Sequence, residues 1–154
     1  MQKNIFSLNK KNKKVYKGQI FCDGGSRGNP GISGGGAVLF DEKNQEIARK
    51  SVFCGIQTNN FAEYSSLILG LNLALEKNFL DLKVFMDSRL VVQQMKGIFK
   101  IKNKNIKPLY EKAMALVDDF VNIDFQYIPR EKNKIADKIA NMAMDKGKVG
   151  GRKF

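Results

Sequence analysis

Four acidic residues, Asp23, Glu63, Asp87 and Asp137, stand where one secondary-structure element should give way to the next. Asp23 closes the apolar run Ile20-Phe21-Cys22, and Asp87 closes the run from Leu82 to Met86. Glu63 falls in the first turn of a strongly periodic helix and Asp137 in the first turns of the last one. Carboxylates gathered at one sheet edge repel each other, and such a cluster is costly unless a cation neutralises it. The sequence contains no His, which excludes Ser-His and Cys-His nucleophilic mechanisms and any His-based zinc site. Cys22 and Cys54 are too few for a thiolate cage. What remains is a hard cation on oxygen ligands, Mg²⁺ or in its place Mn²⁺. Two such ions about 3.5–4 Å apart can activate a water and stabilise the leaving oxygen of a phosphodiester.

Each acid also has a plainer reading. Asp23 could serve the turn that begins Gly24-Gly25. Asn60 and Glu63 have the spacing of a capping box. Asp87 could cap the following helix, and Asp137 could complement a helix dipole.

The elements that must position these acids are read from periodicity. A strand over about 18–23 precedes a Gly/Pro-rich turn from Gly24 to Gly31. Strands at 34–40 and 45–54 flank Asp41-Glu42-Lys43-Asn44, a hairpin signal. Tyr64, Leu67, Ile68, Leu71 and Leu75 recur at helical spacing. Then come a strand at 82–86, a short helix from Ser88 to about Met95, and a Lys-rich connection over 96–107. A helix marked by Leu109, Ala113, Leu116, Val117 and Phe120 leads to an alternating strand at 121–128. A last helix over about 132–146 turns Ile135, Ala136, Ile139, Ala140 and Ala143 inward. The order βββαβααβα predicts an α/β domain, a mixed five-stranded sheet with helices on its faces. Sites in such folds gather beyond the carboxyl ends of central strands.

With 154 residues the chain makes about one domain, large enough to need no disulfide or metal staple. We divide it into a basic extension (1–17), the folded domain (18–147) and a basic tail (148–154). Lys and Arg outnumber Asp and Glu to give a net charge of +12, which suits a polyanionic partner. No apolar run approaches the roughly 20 residues of a membrane span, and no signal peptide is read at the N-terminus. The expectation is a monomeric cytoplasmic protein with no membrane partner. Cys22 and Cys54 should be free thiols, because their strands flank a third and two inter-strand steps of about 4.8 Å exceed disulfide reach.

Four motifs hold the acids: Asp23-Gly24-Gly25-Ser26-Arg27-Gly28-Asn29-Pro30-Gly31, Thr58-Asn59-Asn60-Phe61-Ala62-Glu63, Met86-Asp87-Ser88 and Asn133-Lys134-Ile135-Ala136-Asp137. In order and spacing, this set resembles the ribonuclease H type 1 family over about residues 18–147. The resemblance implies the ribonuclease H-like fold. It also implies cleavage of the RNA strand of an RNA–DNA hybrid, leaving 5′-phosphate and 3′-hydroxyl ends, with other RNA-containing duplexes as a second substrate class. By the same resemblance Asp23 would bridge two Mg²⁺ ions, Glu63 and Asp87 would bind one of them, and Asp137 the other. Asn29 and Asn60 match positions near the RNA backbone and its 2′-hydroxyls, and Thr58 and Asn59 match positions facing the DNA strand.

The chain departs from many relatives in three ways. The loop Ile128-Pro129-Arg130-Glu131-Lys132-Asn133 is short and carries no His, which leaves Arg130 as its candidate phosphate contact. Ile56 stands where some relatives place an Arg. The separate basic helix is missing, and Lys96, Lys100, Lys102, Lys104 and Lys107 offer a simpler basic strip.

Overall fold

The structure, a computed structural model, describes residues 14–151. Five strands and four helices follow one another as β1 (Lys17–Gly28), β2 (Gly31–Asp41), β3 (Glu46–Gln57), α1 (Asn59–Glu76), β4 (Asp81–Met86), α2 (Arg89–Met95), α3 (Lys107–Val117), β5 (Asn122–Tyr127) and α4 (Lys134–Gly151). A 3-10 turn at Arg130–Lys132 precedes α4. The sheet order is β3-β2-β1-β4-β5. The first three strands are antiparallel neighbours, whereas β1 with β4 and β4 with β5 are parallel. This is the mixed sheet that the element order predicts.

The two faces are covered differently. On one face Ile20, Cys22, Leu39 and Val84 pack under Tyr64, Leu67 and Leu71 of α1, with Val91 and Ala113 closing the core from α2 and α3. On the other face α4 lays Ala136, Ile139, Ala140 and Ala143 over β1, β2 and β3. The small residues of that stripe allow close approach. Beyond its edge the rings of Phe21, Phe40 and Phe85 pack on each other, stacked at 4.8 Å and edge-on at 5.7 Å.

Several expected boundaries move. The stretch from Gly24 is not a turn: β1 runs on to Gly28, stays paired with β2 down to Gly28↔Gly31, and reverses only at Asn29-Pro30. Gly24, Gly35 and Gly36 serve close approach to the helices, and only Gly28, at a φ of +113°, and Gly31 serve the reversal. Ile135 is 44% exposed, because the stripe facing the sheet begins one residue later at Ala136. Val121 is exposed and lies outside β5, and Phe120 lies beyond the end of α3. The last helix continues through Gly151.

The expected N-terminal extension also shifts. Tyr16 already belongs to the body, its N–H donating to the Asn78 carbonyl at 2.9 Å and its ring lying 5.2 Å from that of Phe79. The rest of that extension, residues 1–13, and the end of the expected tail, residues 152–154, lie outside the described residues. Cys22 and Cys54 are free, as the strand order requires.

Candidate active site

Parallel pairing of β1 with β4 runs up to Cys22↔Met86, so the next residues, Asp23 and Asp87, emerge side by side where that ladder ends, Asp23 within β1 and Asp87 just past β4. Helix α1 reaches this point because Gly24 has no side chain. A Cβ there would lie 2.1 Å from the Ala62 carbonyl oxygen, so the first turn of α1 rests directly on β1 and brings Glu63 to Asp23. Helix α4 is admitted in the same way. Asp23 pairs with Gly36, where a Cβ would meet Ile139 Cβ at 2.7 Å and the Ala136 carbonyl at 2.8 Å. That contact sets down the first turns of α4, and with them Asp137. The four acids line one cleft of about 500 Å³, together with Arg130 and Asn59.

Neither Asp87 nor Glu63 is consumed by capping. Ser88 caps α2, its Oγ accepting from the Val91 N–H at 3.2 Å. Thr58 caps α1, its Oγ1 accepting from the Phe61 N–H at 3.2 Å. The capping-box reading of Asn60 and Glu63 therefore fails, and the cap reading of Asp87 fails with it. Asp23 lies inside the β1–β2 ladder, so the turn reading also fails.

The acids are held in a state that resists charge. Burial above all, then the charge of Asp87, a hydrogen bond with Asp137 and the charges of Asp137 and Glu63, push the Asp23 carboxyl up to about 8. Burial, with the charge of Asp87 added and a Ser88 hydrogen bond opposing, pushes Glu63 up to about 7. Asp87 is raised as well, again chiefly by burial. Protein cations do little to offset this. Arg130 stands 4.0 Å from Asp137 with its side chain 82% exposed, a contact worth at most about 1 kcal/mol. Arg27 is spent elsewhere, on Asp145 at 2.7 Å.

A hard divalent cation fits these donors. All four are carboxylates, and the thiol beside Asp23 in the chain, Cys22, is fully buried and pushed up by desolvation. Among the described residues no three acidic or sulfur side chains already form a closed ligand set. The fit therefore rests on donor chemistry and shared location.

The remaining expected contacts divide into two groups. Asn29 and Asn59 form a latch: Asn29 Oδ1 accepts from the Asn59 N–H at 3.1 Å, and Asn59 Oδ1 accepts from the Ser26 N–H at 2.7 Å. Both amides turn their oxygens to the backbone, which leaves the NH₂ groups as the available donors. Asn60 instead faces a neighbouring groove of about 560 Å³ with Leu90, Gln94, Ile98 and Phe99. The structure joins Asn29 to Asn59, whereas the family resemblance pairs Asn29 with Asn60. Lys100 and Lys102 line that second groove, and Ile56 is 65% exposed on the outer strand.

Four neighbours of the acids were not singled out from the sequence. Ser26 and Arg27 line the cleft, and Arg27 also donates to Asn141 of α4 at 3.2 Å. Asn141 in turn donates to the Asp137 carbonyl at 3.0 Å. Asn133 is buried against Asp87. Arg27 inside a glycine run and an Asn just before a helix were the only available signals, and both read equally well as turn or cap residues.

A five-stranded sheet of this order, with acids where the parallel pairing of its two adjacent central strands ends, is the ribonuclease H-like class of fold. The chain belongs to the reverse transcriptase-like family, which matches it over residues 21–143. It is 44% identical over 127 residues to the bifunctional protein Rv2228c of Mycobacterium tuberculosis. That match takes in 82% of this chain and 35% of the mycobacterial protein, so the chain spans about a third of the length of these relatives. The solved N-terminal ribonuclease H domain of Rv2228c superposes with a TM-score of 0.85 at 41% identity, covering 89% of this chain and 99% of that one. Ribonuclease H1 of Halobacterium salinarum gives 0.82 at 33% identity, covering 84% and 98%. LC11 ribonuclease H1, solved in complex with an RNA/DNA hybrid, gives 0.79 at 41% identity, covering 85% and 99%. No helix among the described residues is long and apolar enough to cross a membrane.

Proposed function

We propose that this protein is a metal-dependent ribonuclease H that hydrolyses the RNA strand of RNA–DNA hybrids, leaving 5′-phosphate and 3′-hydroxyl ends. The observation that carries the reading is the convergence of Asp23, Glu63, Asp87 and Asp137 in one cleft, with Asp23 and Glu63 held far above their usual range. A binding surface for phosphates gains nothing from buried negative charge, whereas a cation site requires it. In this reading Asp23, Glu63, Asp87 and Asp137 would hold two Mg²⁺ ions, with Asp23 a ligand to each, and Mn²⁺ could substitute. When bound, the metal supplies an activated water and charge stabilisation at the leaving oxygen.

The chain's own residues do the rest. Asn29 and Asn59 offer NH₂ donors at the mouth of the cleft, suited to phosphate and 2′-hydroxyl oxygens, the latter being what separates RNA from DNA. Asn60 faces the neighbouring groove. Thr58 keeps its hydroxyl proton to donate while its oxygen caps α1. Arg130, largely exposed beside Asp137, contacts a phosphate. The net charge of +12 draws the duplex in.

The test is a gel assay on labelled RNA–DNA hybrid, double-stranded RNA and double-stranded DNA, each with Mg²⁺ or with EDTA. Cleavage confined to the RNA strand of the hybrid and abolished by EDTA is expected. Metal-dependent cutting of double-stranded DNA would make the protein another nuclease on this fold. Hybrid binding with no cleavage in any metal would make it a binding module.

A further inference from the structure

We infer that Asn133 is a positioning residue, the amide that fixes the carboxylate of Asp87 relative to Asp23 and Asp137. The inference rests on the proposed reading of the acids as a cation site and deepens it. Asn133 is 1% exposed and lies between the 3-10 turn and α4. Its Nδ2 donates to the Cys22 carbonyl at 2.9 Å and to Asp87 Oδ2 at 3.2 Å. Its own carbonyl accepts from the Asp137 N–H at 3.1 Å. Cys22 immediately precedes Asp23, so this residue touches all three elements that carry Asp23, Asp87 and Asp137.

The obvious structural role for an Asn in front of a helix is absent here. A capping Asn turns its side-chain oxygen to an N–H of the first turn. Asn133 Oδ1 makes no such bond; it is buried and has no partner among the described residues. The amide cannot be reversed, because its oxygen would then face a carbonyl and a carboxylate, two acceptors. An unpaired buried acceptor is destabilising, and a side chain chosen only for packing would avoid it. What the arrangement secures is an N–H donor on Asp87 Oδ2. That donor restricts rotation of the carboxylate and ties it through Cys22 to the strand that bears Asp23. Groups that orient metal ligands in this way typically change metal affinity or activity by about 10–100-fold when removed.

The test compares wild type, Asn133→Ala, Asn133→Ser, Asp87→Asn and the Asn133→Ala/Asp87→Asn double variant, all in the full chain. Mn²⁺ and Mg²⁺ affinity is measured on the free protein by calorimetry and by the metal-induced rise in melting temperature. The kcat and KM for hybrid are measured alongside. Asn133→Ala should weaken metal binding by about 10–100-fold and lower kcat to a similar degree, with KM for hybrid within about twofold. In the Asp87→Asn background the same change should cost little more, because its target is already gone. Asn133→Ser, which keeps a hydroxyl donor in a smaller side chain, should fall between Ala and wild type, and it decides the matter if the Ala variant does not fold. Metal affinity unchanged in the folded Ala or Ser variant, or a loss fully additive with Asp87→Asn, would overturn the positioning role alone. A wild type that binds neither cation would overturn this role and the reading of the site together.

Discussion

The acidic cleft and the groove beside it share a wall at the start of α1 but are built on opposite terms. In the cleft, α1 and α4 rest on bare glycine backbone at Gly24 and Gly36, and the acids sit on β1, just past β4 and in the first turns of those two helices. In the groove the floor is fixed by the Tyr64 hydroxyl donating to Gln94 Oε1 at 2.7 Å. The rim is looser: Ile98 and Phe99 are exposed at 63% and 47%, and their N–H groups share the Gln93 carbonyl. Chemistry needs carboxylates placed to a fraction of an ångström, whereas a duplex backbone can be gripped by long side chains that adjust. Changes in the cleft should therefore act all-or-none, and changes in the groove should be graded.

The largest effect expected is on catalysis. Asp23→Asn should lower hybrid cleavage by several orders of magnitude, because it removes a charged ligand from the centre of the cluster. The same variant should melt no lower than wild type in metal-free buffer near neutral pH, since it removes a carboxyl that burial above all, and then its acidic neighbours, keep from ionising in the fold. It should also gain less from added Mg²⁺. Near-normal cleavage would break the comparison at its root.

Next comes a change that adds one carbon. Gly24→Ala puts a Cβ 2.1 Å from the Ala62 carbonyl, a backbone atom that cannot swing aside. A loss of about 3 kcal/mol, or roughly 6–12 °C in melting temperature, is expected, together with activity lost out of proportion as Glu63 moves. A melting temperature within about 2 °C of wild type would show that α1 is free to slide on β1.

The groove should respond by degrees. Replacing Lys100, Lys102 and Lys104 with Ala should leave kcat unchanged. It should weaken hybrid binding and flatten its dependence on log salt by up to about 0.9 for each phosphate no longer neutralised. A binding curve unchanged at every ionic strength would remove the groove from the substrate path.

The smallest effect is a difference of slopes. The Asp23 carboxyl at about 8 and Glu63 at about 7 hold protons in the fold that the unfolded chain releases near its ordinary range. The folded state thus binds more protons, and the contribution of the pair to stability falls as pH rises from about 4 to about 8. Metal-free wild type should accordingly lose stability relative to Asp23→Asn over that window, by thermal melts at pH steps. Parallel melting curves for the two proteins would show that neither burial nor the neighbouring acids raise the Asp23 carboxyl in the fold.

Much of this was legible in the sequence, for identifiable reasons. The apolar stripes of α1 and α4 and the alternating strands follow from periodicity, and so does the mixed sheet, since a meander followed by helix-linked strands leaves few topologies; that β4 and β5 add beside β1 comes from the structure. Asp23 and Asp87 were legible because charged residues are out of place after apolar runs, whereas Glu63 and Asp137, in the first turns of helices, stood out only through the resemblance of their motifs to the family. The Gly24–Gly31 stretch misled because glycine signals both reversal and close approach, and only the partner helix distinguishes them. Asn133 was hidden for a related reason: nothing in one dimension says that an Asn before a helix points away from that helix.

The position of β1 has a consequence for how the protein fails. It is the central strand, bonded along eleven residue pairs to β2 and six to β4, and Asp23 stands inside the first of these ladders. No local opening frees such a strand; its amides exchange with solvent only when the sheet as a whole comes apart. Amide hydrogens around Cys22 should therefore be among the slowest to exchange, whereas those on the outward side of β3, the edge strand, should exchange by local fraying. Activity would then be lost along the same denaturation curve as the sheet itself, with no folded but inactive species between.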